Sequence, residues 1–261
     1  MTIPRDKFVD QSNLILAQFI DAASNLGMPV NLLRRVRSDY TIKFKRGDGD
    51  DHVSPFWNDL VLYETTVNGL KQPGSRWADA VSVQTLYHEA THAIVDIDDV
   101  DDNGLFKSAV FEYDRAKLVN GKRVDDPDRV AQEAAGCYVG HRAASAWQIF
   151  QKIEFWMSVL DQHETGKMTA ARARELFSMT TQGVSIPEYY ERLMRERVFG
   201  YQEVGSGQVS VNYPIPNLLR VYCDSVLENK ILDNFAHMTL YTSRYDALKQ
   251  RLAKLGLPEK P

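Results

Sequence analysis

The segment Leu86-Tyr87-His88-Glu89-Ala90-Thr91-His92-Ala93 carries His-Glu-x-x-His within a stretch that reads as helix. Residues at i and i+4 share one helical face, so His88 and His92 can both direct imidazole nitrogens at a single metal ion while Glu89 stands beside it. Zinc takes imidazole and carboxylate ligands, and a catalytic zinc keeps its fourth position for water. In that chemistry Glu89 is not a ligand but the base that takes the water's proton.

Two histidines on one helical face are also ordinary core or surface residues, so context has to decide. Ala80 to Leu86 leads into the motif and Ala93-Ile94-Val95 leaves it, an apolar frame without Pro or Gly. The motif therefore belongs to a buried helix. A third ligand must come from elsewhere. The acidic run Asp96 to Gly104 lacks the alternating ligands and the closing Glu of a calcium loop, and reads as a solvated loop ending the helix. Farther on, Asp126 and Pro127 form a helix start, a capping carboxylate followed by a residue suited to the first turn.

The helix so begun contains Gln132-Glu133-Ala134-Ala135-Gly136-Cys137. A carboxylate among small apolar residues is costly unless it is paired or bound to metal, which makes Glu133 the best third ligand. The rival account leaves Glu133 as a solvated residue of an amphipathic helix. His141, about 12 Å farther along the helix, is either a competing ligand or a hydrogen-bond donor to substrate.

His88-Glu89-Ala90-Thr91-His92-Ala93-Ile94-Val95-Asp96 resembles the active-site helix of the thermolysin-like zinc metallopeptidases, the gluzincins. Gln132 to Cys137 is similar to their second, glutamate-bearing helix. The resemblance covers these two short segments. It implies a zincin-like fold, Zn2+ held by His88, His92 and Glu133, and peptide-bond hydrolysis with Glu89 as base. In several such families the residue four after the metal-binding Glu is an Asp supporting a zinc-bound His; here it is Cys137. That departure assigns the support to another group, Asp96 or Asp98.

The elements that must position these residues follow from periodicity. Apolar positions at helical spacing run from Phe8 to Leu26, and Gly27 ends them. Val30 to Val36 adds a short helical turn. Tyr40 to Lys45 alternates like a half-buried strand, and Leu60 to Val67 reads as a second strand. The second is the candidate edge along which an extended peptide could bind, or else an internal strand. Phe56, Trp57 and Trp77 either line a cleft or are core. Beyond Asp126 the pattern is mostly helical. The Gly- and Pro-rich Gly200 to Pro216 segment is either a lid over the site or a connector.

With 261 residues and 44% hydrophobic content the chain can bury a full core. A formal net charge of -4 gives no electrostatic case for nucleic acid. Cys137 and Cys223 make no disulfide framework and read as buried thiols. The polar N-terminus lacks an apolar signal core, and no stretch has the length to span a bilayer. Cytoplasmic residence is the default expectation, and secretion by a signal-independent route would leave the same pattern.

The expected fold is α+β, mostly helical, with a small zincin-like sheet packed on the metal-binding helix. Residues 1–160 form the catalytic core and 161–261 a helical C-terminal subdomain, unless 1–261 is one continuous domain. The expected activity is zinc-dependent hydrolysis of protein or peptide substrates. Two alternatives remain: a degenerate zincin-fold protein with a regulatory or binding role, and a bacterial metallopeptidase toxin or effector. The helical C-terminal half would serve specificity or partner proteins. An oxyanion needs one further donor, and Tyr138, His141, Arg142, Tyr189 and Tyr190 are the candidates.

Overall fold

A computed structural model of the chain describes residues 4–25, 28, 30–54, 57–71, 78–100, 104, 106–108, 110–111, 118–119, 122–123, 126–181, 217–223 and 239–254. Helix α1 (Arg5–Asn25) buries Phe8, Ser12, Ile15, Leu16, Phe19, Ile20 and Ala23, a stripe with the three-to-four-residue spacing expected of a one-sided helix. Helix α2 (Asn31–Asp39) buries Leu32, Leu33 and Val36, and the chain turns extended at Tyr40.

A three-stranded sheet follows, made of β1 (Thr41–Lys45), β2 (His52–Ser54) and β3 (Asp59–Tyr63). Its order is β1-β3-β2, with β3 parallel to β1 and antiparallel to β2. Four of the five β3 residues are buried, as a central strand covered on both faces requires.

The strand expected from Leu60 to Val67 is corrected in its extent, and of its two readings, edge or internal, the internal one is found. It ends at Tyr63, where the chain turns into α3 (Glu64–Gly69), and it is the central strand. The edge on the cleft side is β2. Asp51 supplies the reason for the early end, because its carboxylate accepts the Tyr63 backbone N–H and the Thr66 hydroxyl. That backbone donor is satisfied by a side chain just where the strand gives way to helix. β-branched Thr65, Thr66 and Val67 mimic strand propensity, but tertiary contacts override it.

Helix α4 (Ala80–Val100) carries the His-Glu-x-x-His motif. Asp79 caps it by accepting the Ser82 N–H at 3.1 Å. The loop expected from Asp96 is also corrected: the helix continues through Val100. Asp96 is held in that helix by the Tyr40 hydroxyl, which donates to its Oδ2 at 2.6 Å. A short antiparallel ladder of β4 (Leu118–Val119) and β5 (Lys122–Arg123) follows.

Helix α5 (Pro127–Glu164) starts as its sequence dictates, with the Asp126 side chain accepting the Arg129 N–H at 3.0 Å and Pro127 in the first turn. Its 38 residues run unbroken to Glu164, a length of about 57 Å. The α4–α5 contact is the centre of the core, lined by Leu86, Ala90, Ala93, Ala131, Ala134, Ala135 and Tyr138. Trp147 closes its far end, donating to the Ala78 carbonyl at 2.8 Å. Helices α6 (Ala170–Thr181) and α8 (Thr239–Lys254) pack on α5, the latter through Arg251 bound to Asp161 and Glu164. Helix α7 (Asn217–Tyr222) places Tyr222 against Phe106.

The class is thus α+β and mostly helical, with 78% of the described residues in helices. Strands β2 and β3 pack against α4. Cys137 and Cys223 are buried thiols. Among the described residues no helix is long and apolar enough to cross a membrane.

Candidate metal centre

Helix α4 is buried on most of its circumference, with Leu86, Tyr87, Ala90, Ala93, Ile94 and Val95 nearly inaccessible. One polar stripe, His88, Glu89, His92 and Asp96, faces a cleft of about 430 Å³. The i, i+4 spacing brings the Nε2 atoms of His88 and His92 to 3.0 Å.

Glu133 of α5 completes the group. Its Oε2 lies 3.5 Å from His88 Nε2 and 3.9 Å from His92 Nε2. One ligand atom from each of the three residues falls within 4.8 Å of the others. Ligand atoms of a tetrahedral zinc with bonds of about 2.0–2.1 Å stand roughly 3.3 Å apart, so these separations suit one ion bound by all three. Two neutral imidazole nitrogens and a carboxylate are also a donor set that zinc accepts. Glu89 Oε1 lies 3.9 Å from His88 Nε2, beside the triangle rather than in it.

The geometry depends on how closely α5 approaches α4. Glu133, Gly136, Cys137 and Gly140 occupy i, i+3, i+4 and i+7, one face of α5. A β-carbon at Gly136 would lie 3.0 Å from His88 Nδ1, and one at Gly140 would lie 2.5 Å from the Gln84 carbonyl oxygen. At Gly140 the obstacle is backbone, so glycine there lets the helices come near enough for Glu133 to reach both histidines, while at Gly136 a β-carbon would press on the His88 ring.

Electrostatics within the group are strongly coupled. Burial pushes His88 down, but its pairing with Cys137 and Glu133 outweighs this and holds it up at about 10. His92 is pushed down, first by burial and then by the charge on His88. Glu133 is lowered by its pairing with His88, against the effect of burial. A divalent cation would compete with protons for these same nitrogen and carboxylate atoms. Glu89 is pushed up to about 7, chiefly by burial.

Cleft walls come from both sides. Strand β2 and its approach contribute Asp51, His52 and Val53, and α5 contributes Arg129 and Gln132. Periodicity did not single out Asp51, His52 and Val53, because a three-residue strand carries no readable alternation. His52 donates from Nδ1 to the Asp50 carbonyl at 2.9 Å, which fixes the tautomer and leaves Nε2 as the nitrogen available to a ligand.

Other sequence-derived candidates fall elsewhere. Tyr138 is buried under the Arg142 guanidinium, which stacks 4.6 Å from its ring centre, and neither residue lines the cleft. Nine residues of helix turn Arg142 to the side opposite Glu133. His141 does not line the cleft either, and it is absent from the ligand triangle. Trp57 is 75% exposed and outside the cleft lining. Tyr189, Tyr190, Phe56, Trp77 and the Gly200 to Pro216 segment lie outside the described residues.

Asp96 and Asp98 are the two groups expected to support a metal-bound histidine. Asp96 lines the cleft and is engaged by Tyr40, and the Asp98 side chain lies outside the described residues. No protein-family model, curated protein or solved structure matches the chain.

Proposed function

We propose that the chain is a zinc-dependent hydrolase of the gluzincin type that cleaves peptide bonds, with His88, His92 and Glu133 holding the metal. The observation carrying this reading is the convergence of three ligand atoms beside the Glu89 carboxylate in a cleft flanked by a sheet edge. Zinc bound there would supply a Lewis acid that acidifies a water and polarises the scissile carbonyl.

The residues of the chain provide the rest. Glu89, buried and pushed up to about 7, is suited to take a proton near neutral pH and pass it to the leaving amine. Strand β2 ends the sheet, and its outer edge accepts an extended peptide as one more strand. That pairing holds the scissile bond over α4 without reading side chains. Arg129 is the cleft donor available to meet developing negative charge on the carbonyl oxygen.

The test is cleavage of an unstructured protein by purified enzyme, before and after chelation. Cleavage that stops with chelator and returns with stoichiometric zinc is the expected result. If the zinc-loaded protein leaves varied proteins and peptidoglycan peptides intact, the hydrolase reading is wrong.

A further inference from the structure

We propose that His52 selects the substrate: its Nε2 accepts a hydrogen bond from a basic side chain, lysine or arginine, on a peptide extended along β2. This rests on the reading of the cleft as a peptide site.

The neutral His52 ring has one tautomer that suits its surroundings. Nδ1 lies 2.9 Å from the Asp50 carbonyl oxygen, and a carbonyl can only accept, so the proton sits on Nδ1 and Nε2 keeps its lone pair. His52 is half-buried and lines the cleft. A wall residue fixed in this way pairs with a group that donates and disfavours one that only accepts.

Strand geometry decides which part of a peptide it meets. Neighbouring strand residues point to opposite faces, so a cleft lined by both His52 and Val53 runs along an edge of β2 rather than over one face. The inner edge of β2 is already paired with β3, which leaves the outer one. A peptide added there spends its backbone groups on the strand and sets one side chain directly beside His52.

Charge narrows the donor to a basic one. Asp51 and Asp96 line the same cleft, and the hydrogen bonds they accept come from neutral groups, the Tyr63 N–H and Thr66 hydroxyl for Asp51 and the Tyr40 hydroxyl for Asp96. A cationic side chain beside His52 is attracted to both carboxylates, whereas an acidic one meets a lone pair and like charge. Arg129, the one arginine of the lining, belongs to the α5 wall, where its charge acts on Glu133.

The experiment uses end-capped peptides of alanine, serine and glycine that carry a single lysine, leucine or glutamate. Their kcat/KM values with zinc-loaded enzyme are compared for wild type, His52→Phe and His52→Gln. Wild type is expected to favour lysine over leucine by about tenfold, the scale of one well-placed hydrogen bond, and to cut the glutamate peptide least. Phenylalanine keeps a ring without an acceptor and should lose most of the lysine preference, while glutamine, which keeps an acceptor oxygen, should restore part of it. Fluorescence anisotropy of the same peptides, labelled, on Glu89→Gln reads the preference as binding. A wild type that cuts nothing would therefore overturn the hydrolase reading and still leave His52 decided. An unchanged lysine preference in His52→Phe, or a wild-type preference for glutamate set by Arg129, would overturn the proposal. So would loss of zinc from His52→Phe, which would make His52 a metal ligand.

Discussion

Gly140 lies so close to Gln84 that a β-carbon on it would stand 2.5 Å from the Gln84 carbonyl oxygen. That atom is helix backbone, which can yield only by moving α4. One turn earlier, the same approach places Gly136 against the His88 ring and Glu133 against its Nε2. Helix packing and ligand geometry are one arrangement.

Alanine substitutions at these glycines should therefore behave differently. Replacing a mid-helix glycine by alanine gains roughly 0.5–1 kcal/mol from backbone entropy, whereas overpacking a tight contact costs about 1–3 kcal/mol. At Gly140 the obstacle is backbone, so Gly140→Ala should lower stability by about 1–2 kcal/mol on balance. At Gly136 the obstacle is a side-chain ring at 3.0 Å, so Gly136→Ala should be near neutral in stability yet displace His88. Urea midpoints and zinc dissociation constants for both variants check this. Equal losses of stability would show that the ring is as immovable as the backbone.

Metal content tests the triangle directly. Purified protein should carry about one zinc per chain, absent from His88→Ala and His92→Ala and strongly reduced in Glu133→Ala. Elemental analysis after desalting gives the answer. Full occupancy in Glu133→Ala would move the third ligand to another residue.

The site was legible where its spacing is local. His88, Glu89 and His92 follow from helical periodicity alone, and Glu133 from the oddity of a carboxylate among small apolar residues. Cys137 was visible only as a departure from a pattern. His52 and Asp51 were missed because the edge strand has three residues, and a hydrogen-bonded carboxylate ends β3. The acidic run after His92 misled in the opposite direction. Its charge density suggested a solvated loop, but the helix persists, and Asp96 is fixed by Tyr40, a residue 56 positions away.

Glu89 should be separable from metal binding. Glu89→Gln preserves volume and leaves the three ligand atoms untouched, so zinc content should remain near that of wild type. The neutral amide also relieves the burial that pushes the carboxylate up to about 7, so stability at alkaline pH should not fall. Hydrolysis should drop by at least about a hundredfold, since an amide cannot accept the water's proton. Parallel measurement of zinc, urea midpoint and cleavage rate would expose any other outcome, and equal cleavage by both proteins would remove Glu89 from the mechanism.

Tyr40 offers a test of how α4 is held beside the sheet. Its hydroxyl donates to Asp96 Oδ2 at 2.6 Å, and its pKa is raised, first by burial and then by that hydrogen bond and the Asp96 charge. A hydrogen bond to a charged group contributes about 1.5–3 kcal/mol, and part of this is regained when water reaches Asp96 in the variant. Tyr40→Phe should therefore cost about 1–2 kcal/mol at pH 8. The folded state favours the protonated phenol, so this contribution is fully present below the ordinary value of 10.0 and declines as pH rises above it. Over that range the unfolded chain releases the Tyr40 proton while the folded chain retains it, which draws wild type toward unfolding. Phenylalanine has no proton to release, so the gap between wild type and variant should narrow from pH 10 upward. Urea midpoints at pH 8 and pH 11 measure it, and a gap that stays constant would mean that the Tyr40–Asp96 bond does not anchor the helix.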